Sequence, residues 1–159
     1  MSNKLVVYYT HSGNTEKIAR IIAAQTGADL LEIQPVSAYP KEYNAVVAQA
    51  KQEISTNFRP ELQPYAEIAS NYDTIFVGSP NWWSTIAPPI AAYLEQQDFA
   101  GKRVAPFCTH GGGGMAGLER DTLALCPGAE KCAGLALYDD GGAQAEGKVA
   151  AWLEQISEN

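Results

Sequence analysis

Short apolar runs alternate along this chain with stretches whose apolar residues return every three or four positions. Leu5-Val6-Val7-Tyr8-Tyr9 is β-branched and aromatic and of strand length. Over residues 15–26, Ile18, Ala19, Ile21 and Ile22 share a helical face, and Gly27 supplies a C-terminal stop. Leu30-Leu31-Glu32-Ile33 is more polar and alternating, as an edge strand should be. Tyr43, Val46, Val47, Ala50 and Ile54 then follow at helical spacing and predict an amphipathic helix. Residues 58–72, with Pro60 and Pro64, predict only a connection with a helical turn near Ile68. The long stretch from Pro35 to Tyr72 suggests a cover over one sheet edge or a contact with another copy. Thr74-Ile75-Phe76-Val77-Gly78-Ser79 is almost wholly apolar, the signature of a strand buried on both faces of a parallel sheet. Pro88-Pro89 opens a helix through Tyr93 and Leu94. A fourth strand is predicted over 103–109, a helix over 117–125, a fifth strand over 133–138 and a last helix over 147–156.

Five strands alternating with helices mean βαβ units and a mainly parallel sheet covered on both faces, a doubly wound α/β fold. One residue disagrees. Pro106 lies inside the fourth strand, where it removes a ladder donor, so a bulge or a one-sided partner is expected there. At 159 residues, 46 % of them hydrophobic, the chain is expected to form a single domain over 1–159 with a core that needs neither disulfides nor metal. Eleven basic against eighteen acidic residues leave a net charge of −7, which argues against nucleic acid or a phospholipid surface as partner. No apolar run approaches a membrane span, and the first residues lack the charged start and apolar stretch of a secretory signal. A cytoplasmic protein is the expectation. Cys108, Cys126 and Cys132 have no zinc-like spacing and read as buried, reduced thiols.

Open α/β sheets bind ligands beyond the carboxyl ends of their strands, near the point where strand order reverses. Three loops there have unusual compositions. The first, Thr10-His11-Ser12-Gly13-Asn14-Thr15, joins a strand to a helix and combines three hydroxyls with a glycine. Such a helix start is an anion site able to hold a phosphate monoester without cations. The alternative is ordinary helix capping by Ser12 or Asn14. A Gly-Lys-Ser/Thr phosphate loop is absent.

The second loop is Pro80-Asn81-Trp82-Trp83-Ser84-Thr85. Adjacent indoles on extended backbone face opposite ways, so at least one should face the crevice, where a flat aromatic ligand could stack. Otherwise one packs on the following helix and the other covers surface. The third, Thr109-His110-Gly111-Gly112-Gly113-Gly114, exposes bare backbone to a ligand or is simply a flexible loop. Gly112, Gly114 and Gly117 also satisfy GxGxxG, but a glycine run matches that pattern easily, and the dinucleotide turn belongs to the first unit of its fold. Both histidines, His11 and His110, fall in these loops, where hydrogen bonding to ligand or backbone suits them better than metal ligation.

The order of elements, the chain length, the tryptophan loop and the pattern Thr10, Ser12, Gly13, Thr15 together resemble the flavodoxin family over nearly the whole chain. The resemblance implies a three-layer fold with a five-stranded parallel sheet of order 2-1-3-4-5 and bound FMN. It implies that Thr10 to Thr15, with His11 and Asn14 at the free positions, hold the FMN phosphate. Pro80, Asn81, Trp82 and Trp83 on one side, and Thr109, His110, Gly111, Gly112 and Gly113 on the other, would flank the isoalloxazine ring. Two departures separate this chain from one-electron carriers. The fourth-strand loop has no aromatic residue to cover the second ring face, and residues 79–85 hold no glycine for a peptide flip beside the flavin. The expectation is a two-electron FMN oxidoreductase taking hydride from NAD(P)H and passing it to a quinone-like acceptor, with no side chain singled out as catalytic. The alternative is a flavodoxin-type electron-transfer carrier between redox protein partners, which the net charge of −7 favours. A third reading is an interaction module built on the tryptophan patch. An open ring face also leaves room for a homodimer that completes the pocket.

Overall fold

The computed structural model describes residues 3–66 and 68–157. Strand β1 (Lys4–Tyr8) lies at the centre of a parallel sheet, between β2 (Asp29–Glu32) and β3 (Thr74–Pro80). β4 (Arg103–His110) runs beside β3, and two short strands, β5 (Glu130–Lys131) and β6 (Leu135–Tyr138), share its outer edge. The order is therefore 2-1-3-4-5, with the edge rung in two pieces. From β1 the chain winds outward to β2 and then returns to the other side as β3, so the reversal falls between β1 and β3.

Helices cover both faces. α1 (Asn14–Thr26) and α5 (Ala145–Ser157) pack on one side, where Ile18, Ile22, Val149 and Trp152 meet Val6, Phe76 and Phe107. α2 (Tyr43–Ser55), α3 (Pro88–Glu95) and α4 (Leu118–Ala124) cover the other, where Val46, Ile90, Tyr93 and Leu118 join a core with Leu5, Ile75 and Val104. Apolar residues on both faces of β3 follow from this double cover, as its continuous hydrophobic run predicts. Among the described residues no helix is long and apolar enough to cross a membrane.

The fifth strand departs from the predicted 133–138. β5 pairs Arg103 and Val104, β6 pairs Phe107 through His110, and Cys132, Ala133 and Gly134 lie opposite only Ala105 and Pro106. Three residues against two make a bulge at the level of Pro106. The cause is Pro106 itself: Cys132 donates its N–H to the Val104 carbonyl, so alternate residues of β4 face this edge, and Pro106 has no N–H to offer there. The ladder to β3 runs on past it, with Val77 opposite Pro106. The bulge is stitched down from both sides of the sheet. Trp152 Nε1 donates to the Ala133 carbonyl at 2.8 Å, and Gly134 N donates to Glu119 Oε1. A Cβ at Gly134 would stand 3.0 Å from the Pro106 carbonyl oxygen, so the close approach needs glycine.

The connection from Ile33 onward is more ordered than its sequence implies. Residues 34–36 pair antiparallel with 61–63 through Val36 N to Glu61 O at 2.8 Å and Gln63 N to Gln34 O at 2.7 Å. Tyr65 then lies against α3, its ring 5.0 Å from that of Tyr93. The helical turn near Ile68 is present as a short 3₁₀ turn, Ala69–Asn71.

Candidate functional site

The loop after β1 turns at Gly13, whose φ of 98° is left-handed, and α1 begins at the next residue. Left-handed Gly13 followed by right-handed helix makes a concave cluster of N–H groups of the kind that receives anions. Thr10 Oγ1 holds the turn by accepting from Gly13 N at 2.9 Å. Neither Ser12 nor Asn14 caps α1 by a side-chain hydrogen bond, so the capping alternative is not what the structure shows. Thr15 is buried, and its hydroxyl lies 2.8 Å from that of Thr109, also buried, which ties this loop to the end of β4.

The loop after β3 contains a tight reversal. Trp82 and Thr85 exchange backbone hydrogen bonds at 3.0 and 3.1 Å, with Trp83 at φ 53° and Ser84 at φ 69° between them. Two successive left-handed residues describe a type I′ turn, which ordinarily takes Asn-Gly. The indoles do diverge, though through this turn and not through strand alternation. Trp82 enters an edge-to-face cluster with Tyr39 at 4.9 Å, Tyr9 at 5.6 Å and His11 at 5.9 Å. Trp83 stays half-exposed, donates Nε1 to the Val47 carbonyl of α2 at 3.0 Å and carries Lys51 Nζ over its ring.

The glycine loop after β4 is tied down, not slack. Asn81 donates its backbone N–H to Thr109 O at 2.8 Å and its side-chain amide to Gly114 O at 2.7 Å. Gly117 N donates to Ser84 O at 2.9 Å. His110 Nδ1 accepts from Gly112 N at 3.1 Å, which leaves the ring proton on Nε2 while the imidazole is neutral. Tyr138, at the end of β6, meets the His110 ring edge-on at 5.9 Å. Beneath the loop, burial pushes the Cys108 thiol up to about 12, so it stays protonated and inert.

These loops close on one cleft of about 600 Å³. His11, Ser12 and Asn14 line it from the first loop, Pro80, Asn81, Trp82 and Trp83 from the second, and Thr109, His110 and Gly111 from the third. Thr10, Gly13, Thr15, Gly112 and Gly113 do not line it. Thr10 shapes the first loop, Thr15 braces it from behind, Gly112 is tied to His110, and a Cβ on Gly113 would sit 3.5 Å from the Asn81 amide. Six further lining residues escaped the sequence reading: Lys41, Tyr43, Val46, Val47, Ala50 and Asp139. The α2 positions have the spacing of an amphipathic helix, and that helix also walls the cleft. Asp139 carried a usable signal, since it too follows the carboxyl end of a strand.

The segment before α2 is fastened into the site. His11 Nε2 donates to the Pro40 carbonyl at 2.8 Å, and the Tyr39 hydroxyl bonds Glu53 of α2. Burial, reinforced by the hydrogen bond the phenol donates to Glu53, drives Tyr39 far above its ordinary range, and burial does the same for Tyr9. Both remain neutral supports. Among the described residues no group of His, Cys, Asp and Glu could hold a metal ion.

A doubly wound sheet of order 2-1-3-4-5, with a ligand-sized cleft where the order reverses, is the architecture of the flavodoxin-like proteins. The family model for flavodoxin matches residues 3–156, and the chain belongs to the flavodoxin family. It is similar in structure to a candidate flavoprotein of Bacteroides uniformis, at 30 % identity and a TM-score of 0.83, covering 96 % of this chain and 98 % of that one. A flavoprotein of Lactobacillus acidophilus in complex with FMN is 26 % identical, with a TM-score of 0.75 over 96 % of this chain and 99 % of that one. An NAD(P)H dehydrogenase (quinone) of Cupriavidus metallidurans is 32 % identical over 99 residues, 60 % of this chain. The match spans about half of that curated relative, 47 % of its length.

Proposed function

We propose that this protein binds FMN in the cleft and is an FMN-dependent oxidoreductase that moves two electrons from NAD(P)H to a quinone-like or other small planar acceptor. The observation that carries the reading is the convergence of all three carboxyl-end loops on a single cleft of about 600 Å³, within the range of ligand pockets. The residues present suit the cofactor. The first-turn N–H groups of α1 lack a side-chain cap and sit beside Ser12 and Asn14, a donor set for the phosphate ester. Trp82 and Trp83, with Thr109, His110 and Gly111 opposite, give a flat ring an aromatic side and a bare side. When bound, the flavin supplies the hydride chemistry, and the protein supplies position and environment.

The chain's own contribution is rigid placement. Asn81 fixes the spacing between the tryptophan loop and the glycine loop, and the Thr15–Thr109 pair fixes the phosphate loop against β4. The absence of Phe, Tyr and Trp from 110 to 117 favours a glycine side open to a planar acceptor, and the name of the Cupriavidus relative agrees with that use. Tyr138, exposed beside His110, and the net charge of −7 favour a second reading as an electron carrier between proteins. An anaerobic titration of the FMN-loaded protein with NADH and NADPH, followed by absorbance, separates the two. The proposal expects bleaching without a strong band of one-electron-reduced flavin, and turnover when quinones are added. No turnover with either donor across a quinone panel, together with abundant one-electron-reduced flavin on photoreduction, selects the carrier. A protein that takes up no FMN ends both readings.

A further inference from the structure

A cation reaches the cleft from a segment that no motif marks. Tyr39 is wedged edge-on between Tyr9 and Trp82, and Pro40 receives the His11 hydrogen bond at 2.8 Å. The two residues ahead of Lys41 are thus pinned, one to the aromatic floor and the other to the first loop. Lys41 accordingly lines the cleft together with His11, Ser12 and Asn14. No other Lys or Arg lines it among the described residues.

Its charge is uncommitted. Arg20, Arg59, Arg103 and Arg120 are ion-paired, Lys17 faces Asp140, and Lys51 lies over Trp83. Lys41 has no such partner among the described residues. The neighbouring carboxylate is turned away, because Glu42 caps α2 by accepting from Asn44 N at 3.1 Å and Ala45 N at 2.7 Å. Asp139, the one carboxylate lining the cleft among the described residues, arrives from the opposite edge of the sheet. A flexible ammonium with three donors is a good point-charge partner for phosphate. Lys131 and Lys148 likewise make no ion pair among the described residues, but they lie outside the cleft. What sets Lys41 apart is its place in a ligand-sized cleft beside the uncharged donors Ser12 and Asn14, where it can meet an anion.

We propose that Lys41 binds a phosphate ester in the cleft, as a cation delivered from outside the phosphate loop. The proposal rests on the FMN reading above, and two sources share the chemistry: the FMN ester and the phosphates of NAD(P)H. The test uses the full chain with Lys41→Gln, Lys41→Glu and Lys41→Arg. Flavin fluorescence gives the Kd for FMN and for riboflavin at low and high salt, and steady-state assays give KM and kcat for NADH and NADPH. For an exposed ion pair or charged hydrogen bond, Lys41→Gln should weaken FMN binding about 3–10-fold. Riboflavin should change less than about twofold, Lys41→Glu should lose more, and Lys41→Arg should recover most of the affinity. The salt dependence of FMN binding should shrink in Lys41→Gln. If FMN affinity holds while the KM for NADPH or NADH rises by a similar factor at constant kcat, the phosphate is the donor's. Equal losses for FMN and riboflavin, or no change in any of the four ligands, overturn the proposal. Wild-type protein that binds neither flavin overturns the FMN reading, and the Lys41 proposal falls with it.

Discussion

The two sides of the sheet both bury an apolar core, but they differ toward the cleft. Under α1 and α5, Val6, Ile18, Ile22, Phe76, Phe107 and Trp152 make an apolar core in which the Trp152 N–H is used on the Ala133 carbonyl. Toward the cleft on the other side, the aromatic residues come with polar handles: Tyr39 on Glu53, His11 on Pro40, Trp83 on Val47. Apolar burial is strong and non-directional, whereas hydrogen-bonded aromatics fix orientation. Both sides supply stability through apolar burial, and the second also holds the loops of the site in register.

That division can be broken by mutation, and the largest effect tests it most directly. Trp152→Ala should cost about 3–5 kcal/mol in urea unfolding, as large core truncations do. Trp83→Ala, half-exposed, should cost about 1 kcal/mol. Flavin affinity of the folded protein should show the reverse ranking, lost with Trp83 and retained with Trp152. If stability and affinity fall together in both variants, the two sides are not separate in function. A smaller effect is expected where the sides are joined. Thr15→Val strands the buried Thr109 hydroxyl and should cost about 1–3 kcal/mol, whereas Thr15→Val with Thr109→Val should recover much of it. A double-mutant cycle without coupling would disprove that the pair links the first loop to β4.

The smallest effect at neutral pH concerns the phenols. Burial, then the Glu32 carboxylate, raises Tyr8 from 10.0 to about 12. The fold therefore prefers its protonated form, and the stabilisation is complete below pH 10 and lost as pH rises toward about 12. Urea midpoints should be insensitive to this group near neutrality and fall across that window. Tyr8→Phe should flatten part of the fall, and a midpoint that climbs with alkali would refute the sign.

Much of this architecture is legible in the chain. Leu5 to Tyr9 and Thr74 to Ser79 read as strands because burial on one or two faces leaves unbroken apolar runs, and Gly27 closes α1 at φ 76° where a stop is predicted. The three loops are legible because composition at strand ends is unusual there, and Pro106 announced the bulge, although the extra residue sits on its neighbour. What escaped depends on contacts between residues distant in sequence. Tyr39-Pro40-Lys41 looks like a featureless connector until His11, 29 residues earlier, is seen to hold it. The left-handed Trp83-Ser84 turn runs against local preference and is sustained by Val47 and Gly117, which no local pattern reveals. Val46 and Ala50 sit at core spacing and also line the cleft, a double duty invisible to periodicity.

The bulge opposite Pro106 also governs how copies of this protein can meet. A strand adding to that rim would find only a two-residue rung, a kink at Cys132 to Gly134, and a four-residue rung in shifted phase. An interrupted border of this kind is poor template for another backbone, so uncontrolled growth of the sheet, and with it fibre formation, is discouraged on that flank.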